Sequence, residues 1–298
     1  MSRDLLVLQD GNNLAMRGIH ALWHTNMKCP KGRDSRGLFG LMSALRTHFN
    51  SFGPTHMLWA FDKTRSKKRT DLDPNYKGHR KYGSTESHTD IRDILAPQYE
   101  AFEQFLDIMG IRHLCEDGEE ADDIIARASL TWGSKSTDVL IVSGDNDMIQ
   151  LASRSPKVTI HQPSKKNEKM FEFGVTADQV EAWWGVPPER LAELKAMIGD
   201  SSDGIVGVRG IGPKRALKII QQHGNLTEAI RKAPELIGHE QRVATNYLLM
   251  ELISDKRPLP MTLEDCRVPK IDSSREKAAQ AFFDEWGFSR LTPRMFCS

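Results

Sequence analysis

The sequence predicts an α/β fold built on a parallel sheet, and three observations carry that expectation. Short apolar runs alternate with longer amphipathic stretches along the first half of the 298 residues. Three of those runs end on, or lead straight into, aspartates: "LLVLQD" on Asp10, "HMLWAFD" on Asp62, and "DVLIVSGDND" into Asp145 and Asp147. From Val175 onward the text becomes helical.

In chain order, the first two runs are strands. "GIRHL" is a further short strand, and it precedes "GEEADDIIA", where Ala121, Ile124, Ile125 and Ala128 fall at i, i+3, i+4 and i+7 and so start a helix with one buried stripe. The third run is another strand. "HQPSKKNEKMFEFG" is a polar connection whose basic residues are solvated. The helical text follows, with "ADQVEAWWGV" and "PERLAELKAMIGD" ending at Asp200, then Ser201, Ser202 and Asp203. Next, "VGVRGIGPKRALKII" places glycines at 207, 210 and 212 ahead of Pro213, Lys214, Arg215 and an apolar helical pattern. Gly210 and Gly212 let the backbone approach a phosphate whose charge meets free N–H groups, the helix dipole and the two cations. Two domains are expected, residues 1–173 and 174–298.

Composition bounds the class. With 39% hydrophobic and 27% charged residues, the chain reads as an ordinary globular protein. Asp10 cuts the opening apolar run too short for a signal peptide, and no apolar stretch reaches membrane-spanning length, so a cytoplasmic protein is expected. Cys29, Cys115, Cys266 and Cys297 are scattered without a Cys-x-x-Cys pair, which points to neither a zinc site nor a disulfide framework. The net charge is +1, but residues 63–81 hold eight basic residues against two acids. Alone, that stretch fits a solvated charged loop better than a polyanion site.

The acids carry the chemistry. In an open parallel sheet the functional crevice lies beyond the carboxyl ends of the strands, so acids at several strand ends point to one place. Glu119, Glu120, Asp122 and Asp123 crowd into five residues at a helix start. The helix dipole stabilises each by only about 0.3 to 1 kcal/mol, and their mutual repulsion is of similar size. By itself the stretch fits a solvated helix start as well as a metal site; together with the other strand-end acids it reads as a set of ligands. Converging carboxylates must either protonate or hold hard divalent cations. Oxygen donors without Cys or His favour Mg²⁺ or Mn²⁺, and two such ions suit phosphodiester hydrolysis.

Taken together, "DGNNL", "WAFD" followed by "DPNYKGHRK", "EEADD", "SGDND" and "IGDSSDGIVGVRGIGPKRA" resemble the ordered motifs of the 5' nuclease or flap endonuclease family. The resemblance is strongest to the 5'-3' exonuclease domain of bacterial DNA polymerase I and to stand-alone phage 5'-3' exonucleases, and it runs through "AFFDEWGFSRL". It implies a PIN-like parallel-sheet core, a basic helical arch or loop at about 63–100, and a C-terminal helical region with a helix-hairpin-helix motif. Asp10, Asp62, Glu120, Asp122, Asp123, Asp145, Asp147, Asp200 and Asp203 match the metal-binding acids; Glu119 has no match and stays a helix-start acid. Lys77 and Arg80 match the basic pair that reaches the scissile phosphate. Tyr76 beside them is either a base-stacking residue or a packed gateway. Gly210, Gly212, Lys214 and Arg215 are expected on duplex backbone, and the Val208 and Ile211 carbonyls around K⁺.

The expected activity is a structure-selective 5' nuclease on DNA with a 5' end, nick or flap, using two or more Mg²⁺ ions, with Mn²⁺ able to substitute. A monomer is expected, and the absence of a following polymerase gives the expectation of a free-standing, phage-encoded nuclease in the host cytoplasm. Two alternatives stand beside it. A catalytically idle DNA-binding relative would lack acids that are present here. A phosphatase forming an aspartyl-phosphate needs a second Asp where Asn12 stands.

Overall fold

The structure, a computed structural model, describes residues 3–78, 91–163 and 174–296. Its centre is a five-stranded, all-parallel sheet in the order β3-β2-β1-β4-β5. The strands are β1 (Asp4–Asp10), β2 (His56–Ala60), β3 (Arg112–Leu114), β4 (Thr137–Val142) and β5 (Val158–His161). The first four are those the apolar runs predict; β5, with the four residues "VTIH", is an addition. The register pairs Asp10 with Ala60, Gln9 with Val142, Ala60 with Leu114 and Val142 with His161, which aligns the carboxyl ends along one rim. The direction of strand addition reverses between β1 and β4. A crevice opens at such a switch point because the chain leaves the two neighbouring strands toward opposite sides.

Alternation along the buried strands divides the core. Val7, Met57, Trp59, Leu140 and Val142 pack with α1 (Gly11–Ala21), α2 (Arg36–Phe52) and α4 (Ile91–Met109). Leu6, Leu8, Leu58, Ala60, Val139 and Ile141 face α5 (Ala121–Trp132), a 3₁₀ turn at Asp147–Leu151 and α6 (Ala177–Trp184). Between β2 and α4 lies the short helix α3 (Lys67–Leu72). Residues 91–100 of the segment expected as an arch at about 63–100 belong to α4. Ile91, Leu95, Gln98, Phe102 and Phe105 form a buried helical stripe in α4 that Pro97 interrupts in the text. Residues 79–90, including Arg80, lie outside the described residues, as do 164–173 within the polar connection.

A third cluster is helical: α7 (Leu191–Ile198), α8 (Pro213–His223), α9 (Leu226–Lys232) and α10 (Glu240–Met250) share Leu194, Met197, Ile211, Ile219, Ile220 and Val243. A two-strand antiparallel hairpin, β6 (Gly199–Asp200) and β7 (Ile205–Val206), sits between α7 and α8. Gly207 is required there because a Cβ would come 2.0 Å from the Ile198 carbonyl oxygen. After α10 the chain returns to the sheet domain. Ala279, Phe282, Phe283 and Trp286 of α11 (Ser273–Trp286) pack with α4 in the first core, so the hydrophobic clusters group α11 with the N-terminal unit rather than with the helices that precede it in sequence.

Candidate active site

Asp10 ends β1 and caps α1 at once. Its Oδ1 accepts from the Asn13 N–H at 3.0 Å, and its Oδ2 accepts from the Ser143 hydroxyl, just past β4, at 2.6 Å. The two asparagines of "DGNNL" then tie down the neighbouring strand ends: Asn12 Oδ1 accepts from the Asp62 N–H at 2.7 Å, and Asn13 Oδ1 from the Gly144 N–H at 2.9 Å. Asp62 in turn accepts the Ala121 N–H at 2.7 Å, where the positive end of α5 favours a carboxylate. Asp145 receives the Asp147 N–H at 2.8 Å, while its own N–H bonds Ser143 Oγ at 3.0 Å.

Asp10, Asp62, Asp122 and Asp145 lie close enough to feel one another's charge. Burial first, then repulsion from Asp145, Asp10 and Asp62, pushes the Asp122 carboxyl well above the usual carboxylate range, with Lys77 opposing. Asp10 is pushed up to about 7, again chiefly by burial; its bonds from Ser143 and Asn13 pull down, and Asp62 and Asp145 push up. No three acids among the described residues converge on a single point as a finished metal cage. The four stand off from one another as repelling neighbours.

The remaining expected acids are held by protein cations. Arg69, buried on α3, grips Asp123 with two bonds of 2.7 and 2.8 Å, reaches Glu120 at 3.2 Å, and donates Nε to the Leu249 carbonyl at 2.9 Å. Asp123 also accepts the Glu120 N–H at 3.2 Å, so it caps α5 as well as facing Arg69. Lys77 places Nζ 2.9 Å from Glu120 and 3.9 Å from Asp203. Its φ of 54° is the one left-handed non-glycine conformation among the described residues. Lys195 lies between Asp147 and Asp200, bonding the first closely and the second at 3.3 Å. Asp147 rises to about 6, burial outweighing Lys195; Asp200 falls because two Ser202 hydrogen bonds and Lys195 overcome its burial.

Tyr76 is only 3% exposed. Its hydroxyl donates to Glu120 at 3.1 Å and Asp203 at 3.2 Å, under the Lys77 ammonium, so its ring is packed in the acid cluster. Between β7 and α8, Gly210 takes a φ of +82° and Gly212 caps α8, with Lys214 and Arg215 exposed in the first turn and Arg215 3.7 Å from Glu235. Val208 and Ile211 turn their side chains into the helical core, and the Val208 carbonyl accepts the Ile211 N–H at 3.0 Å.

Three positions that the motifs do not flag complete the site. Ser143 lies inside a quoted motif without being singled out. Lys195 had a signal: Leu191, Leu194, Lys195 and Ile198 have i, i+3, i+4, i+7 spacing, and a lysine on such a buried stripe requires an acid partner. Arg69 had none, being one base among eight.

The 5'-3' exonuclease N-terminal resolvase-like domain matches residues 5–185, and the 5'-3' exonuclease C-terminal SAM fold matches 186–274. The chain belongs to the 5'-3' exonuclease family. It is 32% identical over 303 residues to DNA polymerase I of Mycobacterium leprae, covering 99% of this chain and 32% of that protein. It is 30% identical over 308 residues to DNA polymerase I of Lactococcus lactis subsp. lactis, covering 99% and 33%. The chain thus spans about a third of the length of these curated relatives. The fold resembles the bacteriophage T5 D15 flap endonuclease in a pseudo-enzyme-product complex with DNA and metal ions, with TM-score 0.68, 24% identity, and coverage of 84% of this chain and 90% of that one. It also resembles the catalytic core of Rad2 with DNA substrate, with TM-score 0.57, 12% identity, and coverage of 96% and 89%. What this chain shares with both is its fold, a parallel sheet followed by a helical unit.

Proposed function

We propose that this chain is a divalent-metal-dependent, structure-selective 5' nuclease that hydrolyses DNA at 5' ends, nicks or flaps, with Mg²⁺ as its working ion. The observation that supports this most directly is the mutual repulsion of Asp10, Asp62, Asp122 and Asp145 at the switch point. The donor set fits the ion: it is all oxygen, and two of its members, Asp10 and Asp122, bind protons more tightly than an ordinary carboxylate, as acids short of a cation do. Asp10, Asp62, Asp122 and Asp145 would hold metal directly; Glu120, Asp123, Asp147, Asp200 and Asp203 would hold a second ion or support the first set. Bound metal would supply an activated water and neutralise charge on the attacking and leaving oxygens.

The chain's own groups do the rest. Lys77, with Arg80, would turn from Glu120 to the reacting phosphate. The exposed first turn of α8, with Gly210, Gly212, Lys214 and Arg215, would hold duplex backbone by its phosphates, with K⁺ on the Val208 and Ile211 carbonyls. Support for DNA as substrate comes from the family and from the neighbours solved with it. The test is product lengths from a 5'-labelled flap, a nicked duplex and single-stranded DNA, with and without Mg²⁺. Cleavage of all three alike, or full activity in chelator, would overturn the reading; tight flap binding with no cleavage would favour the catalytically idle relative.

A further inference from the structure

We propose that Arg257, acting through Glu119, is a positioning residue for the acidic crevice: the strap that follows α10 holds in place the turn that launches Glu120 and Asp122. This rests on the nuclease reading of that crevice. The strap begins at the other acidic turn. Gln150, buried in the 3₁₀ turn that starts at Asp147, donates to the Met250 carbonyl at 3.0 Å and accepts the Leu252 N–H at 3.1 Å. Seven residues after Met250, Arg257 Nη2 meets Glu119 Oε1 at 2.7 Å while its Nε bonds Asp255 at 3.0 Å. Asp255 in turn lies 3.9 Å from Nε of Arg127, which is only 2% exposed on α5 and paired with Glu116.

The turn at 116–120 is therefore held from both sides. Opposite the strap, the Gly118 N–H donates to Thr64 Oγ1 at 2.8 Å, and the Gly118 carbonyl accepts the Lys67 N–H at 3.0 Å. Gly118 itself has a φ of +77°, so the turn bends sharply between its two clamps. Glu119, the one acid of the crowded stretch without a metal-binding match, thereby gains a role: it is the handle by which residues 250–257 fix the start of α5. The Arg257 side chain is 58% exposed, so the pair adds little to global stability, and its effect should be felt in placement.

A pure charge effect and a placement effect have different signs. Arg257→Ala makes the crevice more negative and Glu119→Gln makes it less so; field alone would tighten cation binding in the first and weaken it in the second. Placement weakens both. The experiment is Mn²⁺ affinity by calorimetry on the DNA-free protein, with hydrogen exchange at the Glu120 and Ala121 amides as a second readout. Both variants should bind Mn²⁺ about tenfold more weakly, the lower end for lost outer-sphere support. Those amides should exchange faster at an unchanged thermal midpoint, and the swap Glu119→Arg with Arg257→Glu should recover most of the affinity. Opposite shifts in the two single variants, affinities within twofold of the parent, or a swap no better than either single variant overturn the inference alone. A parent protein that binds no Mn²⁺ overturns the nuclease reading and this inference with it.

Discussion

The crevice holds two kinds of acid. Asp10, Asp62, Asp122 and Asp145 sit at strand and helix ends, bonded mostly to neutral donors, and repel one another. Glu120, Asp123, Asp147, Asp200 and Asp203, an outer group in the sense of charge rather than depth, each lie against Arg69, Lys77 or Lys195. The first group carries unbalanced negative charge, whereas the second is largely balanced within the chain. Acids of the same type in the same cleft should therefore answer mutation in opposite ways.

The largest effect should come from the inner group. Asp122→Asn should lower Mg²⁺-dependent single-turnover cleavage at least about a thousandfold, some 4 kcal/mol of transition-state stabilisation. At the same time it should raise the thermal midpoint of the metal-free protein, since a repelled, buried carboxyl is gone. Unchanged cleavage or a lower midpoint would place Asp122 in the outer group. Arg69→Ala tests that outer group with the other sign. It leaves Asp123 buried without its cation, Glu120 with Lys77 alone, and the Leu249 carbonyl without its Arg69 donor, so denaturant unfolding should show a loss of about 3 to 5 kcal/mol. A loss under about 1 kcal/mol would show that the acids are not balanced by Arg69.

This division also explains what the sequence reveals. Inner acids are legible because a parallel sheet forces strand ends into line, so Asp10, Asp62 and Asp145 announce themselves by following apolar runs. Their partners are not. Arg69 reaches Asp123 across 54 residues and Lys195 reaches Asp147 across 48, distances at which no local pattern operates. The same limit hides β5, too short for periodicity, and the β6–β7 hairpin, whose strands are two residues each. It hides the partner of α11 as well: nothing local says that Phe282, Phe283 and Trp286 pack against α4.

A smaller effect follows from protonation. Asp10 at about 7, Asp147 at about 6 and Asp122 well above its ordinary range all bind protons more tightly folded than unfolded, where they release them near 3.8. Their contribution to stability is thus fully present below about pH 4 and is lost as pH rises toward 7. In chelator, the thermal midpoint should fall as pH rises from about 5 through 7. Millimolar Mg²⁺ should raise it more at pH 8 than at pH 5, because only deprotonated acids hold the ion. A Mg²⁺ shift that is equal at both values would argue against the inner acids as its site.

The smallest effect lies farthest from the crevice and sets its boundary. Lys214 stands exposed in the first turn of α8, past the Gly210 turn, whereas Lys77 lies directly on Glu120. If Lys214 meets only duplex phosphate, Lys214→Ala should reduce the slope of log affinity against log salt by about one and leave the single-turnover rate at saturating enzyme unchanged. Lys77→Ala should do the reverse, lowering the rate strongly while affinity changes little, because its ammonium would bond the phosphate more strongly in the transition state than in the bound substrate. Binding across a salt series and single-turnover rates on one flap substrate separate the two. A Lys214→Ala variant that loses turnover would bring α8 into the chemistry, and the distinction between a balanced outer shell and a surface that only grips DNA would then have to be redrawn.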